Sequence, residues 1–185
     1  MMTGCIQPDP QKCTGCRLCE LICSFTRHGE SNPKRARIHI VKIERFFVDV
    51  PVVCQQCPDS PCVSECPTEA LKKETGIIKV DEERCTGCGI CIQKCPFGAL
   101  SIDPSTQIAI VCDLCQGEPQ CVQWCPTGAL EFNPHLPLSQ KVGGNTTALT
   151  VRALLEKWGI PMNDYEAYIE KFEGRKLKIK SEGIG

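Results

Sequence analysis

The sequence predicts an α+β protein of short hairpins and helices wrapped around metal clusters in place of a large apolar core. Three observations carry that expectation. Seventeen of the 185 residues are cysteine, sixteen of those seventeen fall into four groups of four, and the segments that follow the groups repeat.

Apolar residues make up 42 % of the chain with cysteine included, and aromatics are limited to two Trp, two Tyr and six Phe. Without the cysteines a one-domain core would be thin. Disulfides or metal must then offset the entropy of ordering the backbone. Disulfides fit poorly, because the cysteine count is odd, two-residue spacings abound and the start Met1-Met2-Thr3-Gly4-Cys5 holds no apolar leader. The expected location is therefore the cytoplasm. No run of about 18 apolar residues marks a membrane span. A net charge of −1, from 21 basic and 22 acidic residues, gives no pull toward nucleic acid.

Group one is Cys13, Cys16, Cys19 and Cys23; group three is Cys85, Cys88, Cys91 and Cys95; both read C-x2-C-x2-C-x3-C. Group two, Cys54, Cys57, Cys62 and Cys66, widens one gap to four residues, and group four, Cys112, Cys115, Cys121 and Cys125, widens it to five. Pro67, Pro96 and Pro126 follow the last cysteine of groups two, three and four. This is the spacing with which bacterial ferredoxins hold [4Fe-4S] clusters. Three thiolates on a tightly wound loop can converge on three irons of one cubane while loop amides face the sulfurs. The fourth lies past the loop and is free to complete a different cluster, and the proline after it ends the turn. A C-x2-C pair alone could be half of a zinc ribbon, but tetrahedral zinc has no use for a third and fourth cysteine in this pattern. Four such groups predict four [4Fe-4S] clusters, with a zinc-binding interaction module as the remote alternative.

Along the chain, Cys5 stands outside every repeat and is expected to be a plain thiol near a mobile terminus. Group one is followed by Ser24 instead of proline, then by a 30-residue connection with basic Lys34, Arg35 and Arg37 and a β-like run at Ile38-His39-Ile40-Val41. The segments Cys66-Pro-Thr-Glu-Ala-Leu71, Cys95-Pro-Phe-Gly-Ala-Leu100 and Cys125-Pro-Thr-Gly-Ala-Leu130 repeat at intervals of 29 and 30 residues. After the first two, hairpins are expected: Lys72 to Val80 through Gly76, and Ser101 to Val111 through Asp103-Pro104-Ser105. The cysteine-free tail predicts two amphipathic helices. One carries Val151, Leu154, Leu155 and Trp158; the other starts at Asn163 and carries Tyr165, Tyr168, Ile169 and Phe172. They would serve as a lid over the body or as a clamp on a partner.

Catalytic residues are not expected. His28, His39 and His135 are isolated in sequence, and neither a Gly-x-Gly-x-x-Gly run nor a phosphate loop points to NAD or ATP. Basic neighbours of the cysteines, Lys12, Arg17, Arg84 and Lys94, are candidates for raising cluster potentials. Spacing alone leaves open whether group three trades cysteines with group two or with group four.

The four-quartet order, with C-x2-C-x4-C-x3-C-P second and a variable gap in the fourth, resembles the four-cluster electron-transfer subunits of molybdenum and tungsten oxidoreductases such as dimethyl sulfoxide reductase, formate dehydrogenase and formate hydrogenlyase. The resemblance covers residues 13 to 130. It implies two interlocked dicluster-ferredoxin-like modules with a C-terminal helical extension. Residues 1–130 would be the polyferredoxin body, with an inner module from groups 54–66 and 85–95 and an outer module from groups 13–23 and 112–125; residues 131–185 would be the extension. The implied ligand sets are Cys13, Cys16, Cys19 with Cys125; Cys54, Cys57, Cys62 with Cys95; Cys85, Cys88, Cys91 with Cys66; and Cys112, Cys115, Cys121 with Cys23. The run Cys13-Thr-Gly-Cys-Arg-Leu-Cys-Glu-Leu-Ile-Cys-Ser24, with His28-Gly29, Asn32-Pro33 and Arg37-Ile38, is similar to the small iron–sulfur partners of tungsten enzymes of the aldehyde:ferredoxin oxidoreductase type, including tungsten-dependent benzoyl-CoA reductase. The implied partner is a large catalytic subunit with a tungsten- or molybdenum-pterin, with further electron-transfer subunits or ferredoxin beyond it. A free-standing polyferredoxin, or a partner of a hydrogenase or carbon monoxide dehydrogenase, is the alternative.

Overall fold

The computed structural model describes residues 4–43 and 47–134. The two tail helices expected from the sequence, and His135, lie outside the described residues. In chain order the elements are β1 (Cys5–Pro8), α1 (Leu18–His28), β2 (Ile38–Ile43), β3 (Val48–Val53), α2 (Pro61–Ser64), β4 (Leu71–Glu74), β5 (Ile77–Val80), α3 (Ile90–Lys94), β6 (Ser101–Ile102), β7 (Ala109–Ile110), α4 (Gln120–Gln123) and β8 (Leu130–Asn133). The strands pair antiparallel in twos: β1 with β8, β2 with β3, β4 with β5 and β6 with β7. The result is a small mixed helix-and-strand fold.

Proline decides the length of the helices. A residue before proline is driven out of the α region, and Cys95, ahead of Pro96, is extended at φ −74° and ψ 115°. Helices α2, α3 and α4 accordingly stop after four or five residues. Cys23 precedes Ser24, so α1 continues for eleven residues and ends at Gly29, whose N–H donates to the Phe25 carbonyl at 2.8 Å. Ser24 is fully buried; its hydroxyl donates to the Leu21 carbonyl at 3.0 Å and accepts the Asn32 N–H at 2.9 Å, turning the chain toward β2.

The two hairpins expected after the cysteine repeats are present, with Leu71 opposite Val80 and Ser101 opposite Ile110. The β-like run after group one becomes β2, paired along its length with β3 from Ile38 opposite Val53 to Ile43 opposite Val48. Pro51 is tolerated in β3 because each strand of a two-stranded sheet is an edge. The expectation for Cys5 is corrected. It lies in β1 opposite Asn133 of β8 and is fully buried, with the Asp9 N–H bonded to the Ala129 carbonyl at 2.8 Å just beyond.

A two-stranded ribbon is marginal by itself in water. Here the ribbons share a thin core in which Ile6, Ile38, Val53, Ile78 and Leu114 are less than 2 % exposed. Each such side chain contributes about 1.5–3 kcal/mol by burial. The repeated Ala-Leu pairs, Ala70-Leu71, Ala99-Leu100 and Ala129-Leu130, are all buried, and the remaining interior mixes motif cysteines with aliphatics of β2, β3 and β7. Among the described residues no helix is long and apolar enough to cross a membrane.

Candidate metal centres

Twelve of the sixteen motif cysteines line three cavities, each with three thiols from one group and the last thiol from another. One cavity is lined by Cys13, Cys16 and Cys19 with Cys125. A second is lined by Cys85, Cys88 and Cys91 with Cys66. A third is lined by Cys112, Cys115 and Cys121 with Cys23. In the remaining set, Cys95 acts electrostatically on each of Cys54, Cys57 and Cys62. None of the sixteen forms a disulfide. Among the described residues no three Cys, His, Asp or Glu side chains close on a single ion; the thiols surround a space, the arrangement a multi-metal cluster needs.

The loops are wound so that main-chain donors face the sulfurs. In the paired C-T-G-C runs, Gly15 and Gly87 have φ of 63° and 66°. A Cβ at Gly15 would lie 2.4 Å from the Asp49 carboxyl carbon, and one at Gly87 would lie 2.3 Å from the Gln107 carbonyl oxygen. In group four, Leu114, Cys115 and Gln116 are left-handed in succession, a tight winding that non-glycine residues seldom adopt. The Arg37 N–H donates to Cys23 Sγ at 3.3 Å, that of Ala99 to Cys95 at 3.4 Å and that of Ala109 to Cys85 at 3.4 Å.

Burial makes these thiols hard to ionise unaided. It pushes Cys57 and Cys91 up to about 11, and Cys62 and Cys112 up to about 12. Cys19 also rises to about 12, through burial first and the neighbouring Glu20 carboxylate second. Burial is also the main cause that raises Cys54 and Cys121. At Cys66 and Cys125 burial acts upward too, but it is outweighed by the turn of the Cys-Pro-Thr motif. Thr68 and Thr127, with the N–H groups of Ala70 and Leu71 and of Ala129 and Leu130, point at these sulfurs and hold them below the usual thiol value. A buried set of four thiolates needs a compensating cationic core, and the all-sulfur donor set selects iron–sulfur chemistry over hard cations.

The sets adjoin in a row. Cys19 acts on Cys121, Cys112 on Cys54, and Cys91 on Cys62. The order is thus the Cys13 set, the Cys112 set, the Cys54 set and the Cys85 set, and the two exposed ligand candidates, Cys16 and Cys88, sit in the first and the last. Two glutamines tie the middle of the row together. Gln55 Nε2 donates to the carbonyls of Ile6 at 3.2 Å and Val53 at 3.0 Å. Gln56 Nε2 donates to the Cys112 carbonyl at 2.6 Å, and its Oε1 accepts the Ile78 N–H at 2.8 Å.

The basic residues singled out from sequence are engaged elsewhere: Lys12 with Glu131, Arg17 with Glu20, Arg84 with Glu69 and Lys94 with Glu65. The cations that act on thiols are Arg27 and Arg37 at Cys23 and Lys73 at Cys57. Arg37 and Lys73 lie far along the chain from the thiols they reach, whereas Arg27 follows Cys23 by one turn of α1, an i,i+4 spacing that the sequence carried. His28 and His39 are pushed down by burial and join no thiol set.

Residues 45–135 match the family model described as a 4Fe-4S dicluster domain, and residues 10–26 match a 4Fe-4S binding domain. The putative electron transport protein YsaA of Escherichia coli is 39 % identical over 123 residues, 62 % of this chain and 77 % of that protein. The chain belongs to the 4Fe-4S dicluster family of iron–sulfur electron-transfer proteins. Its cofactor is accordingly of the [4Fe-4S] type. Another relative, the polyferredoxin-like subunit of the aliphatic sulfonate oxidoreductase of Pyrococcus furiosus, is 43 % identical over 108 residues, 57 % of this chain. The match spans only 62 % of that relative's length. Among solved structures, the BamBC active-site complex of benzoyl coenzyme A reductase with zinc contains a chain 28 % identical to this one. Its TM-score is 0.46, over 90 % of this chain and 97 % of that one.

Proposed function

We propose that this protein is the electron-transfer subunit of an oxidoreductase complex, with four [4Fe-4S] clusters in two interlocked dicluster modules. The carrying observation is the trade of fourth cysteines: the lining of three cavities and the mutual influence of the fourth set support the ligand sets Cys13/16/19/125, Cys112/115/121/23, Cys54/57/62/95 and Cys85/88/91/66. Bound there, each cluster supplies one-electron storage and transfer. The chain's own residues do the rest: thiols hold, inward N–H groups stabilise charge, buried Ala-Leu pairs keep water out, and Gln55 and Gln56 fix the spacing between sets. The row of sets, with an exposed cysteine at each end, reads as a wire that accepts electrons at one surface and releases them at the other.

The partner is a separate catalytic subunit of the tungsten- or molybdenum-pterin class, where substrate chemistry takes place. The group-one flank supports this, as does the oxidoreductase-subunit relative from P. furiosus. Residues 1–130 form the cluster body, residues 131–185 are its C-terminal extension, and the cytoplasm is its place. Anaerobic purification tests the reading. About sixteen irons and as much sulfide per chain are expected, together with a co-purifying pterin-containing chain; stoichiometric zinc, or a protein purified alone from native extract, counts against it. Cys125→Ser should perturb the same cluster as Cys16→Ser and leave the one perturbed by Cys115→Ser unchanged.

A further inference from the structure

Charge is unevenly distributed over the four thiol sets. Beside the set of Cys23, Cys112, Cys115 and Cys121, two arginines converge on one aspartate. Arg37 Nη1 lies 2.7 Å from Asp113 Oδ2, and Arg27 Nη2 bonds Asp113 Oδ1. All three side chains are largely withdrawn from solvent, with Arg27 18 % exposed, Arg37 23 % and Asp113 25 %. A guanidinium does not give up its proton in a protein, so two positive charges against one negative leave a fixed surplus of one. Both Nε groups are buried without a hydrogen-bond partner among the described residues. Arg37 and Asp113 line the cavity itself, and the Arg37 main chain donates to Cys23 Sγ. Both guanidiniums act on that sulfur in the sense that favours its charged form.

The adjoining sets lack such a surplus. Arg17 lines the Cys13 cavity, but half of its side chain is in solvent and it is paired at 2.8 Å with the buried Glu20. Asp49 adds a negative charge that acts on Cys13 and is matched by Lys42 at 3.3 Å. The lining of the Cys85 cavity holds no charged side chain. At the Cys54 set, Lys73 is turned onto the Gln56 and Cys57 carbonyls, and Asp59 acts on Cys57 in the opposite sense.

Resting on the four-cluster reading, we infer that Arg27 and Arg37 are potential-setting residues that raise the reduction potential of the cluster at Cys23, Cys112, Cys115 and Cys121 above that of the cluster at Cys13, Cys16, Cys19 and Cys125. A reduced cluster carries one electron more than an oxidised one, and a fixed positive charge nearby stabilises that added negative charge. One electron is lost by the adjoining cluster and gained here, with no proton moved. The hop from the exposed Cys16 end into the interior is therefore downhill, and the second station of the row holds the electron until the next cluster takes it.

An electron paramagnetic resonance redox titration of the intact, anaerobically purified protein tests this. Arg27→Gln and Arg37→Gln are each expected to lower one midpoint potential alone, by about tenfold in the reduced-to-oxidised ratio, roughly 59 mV for a one-electron couple. The affected signal is the one altered by Cys115→Ser. Arg37→Lys retains most of the wild-type potential, and Asp113→Asn moves the same potential upward. Unchanged potentials at full iron content, or a shift in a different cluster, overturn the inference. Fewer than four clusters in the wild type, or Cys23→Ser and Cys115→Ser perturbing different clusters, overturn the four-cluster reading instead.

Discussion

Gly15 and Gly87 hold the same place in two C-T-G-C loops, yet substitution should penalise them unequally. Both are left-handed, which costs an L-residue about 1–2 kcal/mol. At Gly87 a new Cβ would meet the Gln107 main-chain carbonyl, which can move only with the β6–β7 hairpin; at Gly15 it would meet the Asp49 side chain, which can rotate. Gly87→Ala is therefore expected to lose one cluster's worth of iron, roughly four atoms per chain, while Gly15→Ala keeps most of its own; iron analysis of the two purified variants decides. The glycines were legible in the sequence as part of the cysteine runs. Their neighbours were not, because Asp49 of β3 and Gln107 of the β6–β7 turn reach these loops from segments whose positions depend on the whole fold. The same reason hid Arg37 and Lys73 behind basic residues that merely flank the cysteines.

Among the elements, the clearest connection between distant segments is the ion pair of Arg35, in the short turn before β2, with Asp103, in the turn between β6 and β7. Arg35 Nε and Nη2 each lie 2.9 Å from Asp103 Oδ2, while Oδ1 accepts the N–H groups of Ser105 at 2.8 Å and Thr106 at 3.3 Å. Burial of Asp103 acts to raise its carboxyl, but these donors outweigh it and hold the group below the ordinary carboxylate range. A depressed folded value contributes stability above the unfolded value of about 3.9 and loses it as pH falls through the lower folded one. Asp103→Asn should cost about 1.5–3 kcal/mol. In denaturant titrations the gap to wild type should stay flat from about pH 8 to 5 and close below about 4; a gap that persists in acid would assign the loss to packing instead. The β4–β5 and β6–β7 hairpins were readable, since alternating apolar residues and turn residues sit next to each other in the chain. Strand β3 was not, because Pro51 interrupts its pattern, and the β1–β8 pair was not, because its strands meet across almost the whole body and neither carries a local turn signal.

For the whole molecule, the cysteine spacing announced the cofactor while leaving the trade between quartets open, since trading is a matter of which loops fold against which. Gln56 is where that relation is held most directly, bridging the Cys112 carbonyl and the Ile78 N–H between the two middle sets. Gln56→Leu leaves both main-chain groups buried and unpaired, at about 1–3 kcal/mol each. Lower stability to denaturant and slower passage of electrons between the two ends of the row are expected together, the latter read by stopped-flow reduction. A loss of stability with unchanged transfer would confine Gln56 to a structural role.

The trade of last cysteines also has a consequence for biosynthesis. The cavity that Cys13, Cys16 and Cys19 line is completed by Cys125, and the one that Cys112, Cys115 and Cys121 line is completed by Cys23. At roughly 5–20 residues per second of synthesis, the first quartet waits seconds on the ribosome as bare reduced thiols before its missing member emerges. The Cys54 and Cys85 sites, whose last thiol to be made is Cys95, can be loaded earlier. The Cys112 and Cys13 sites are filled last, and a chain broken off before residue 125 can never complete the Cys13 site, however well its first loop has formed.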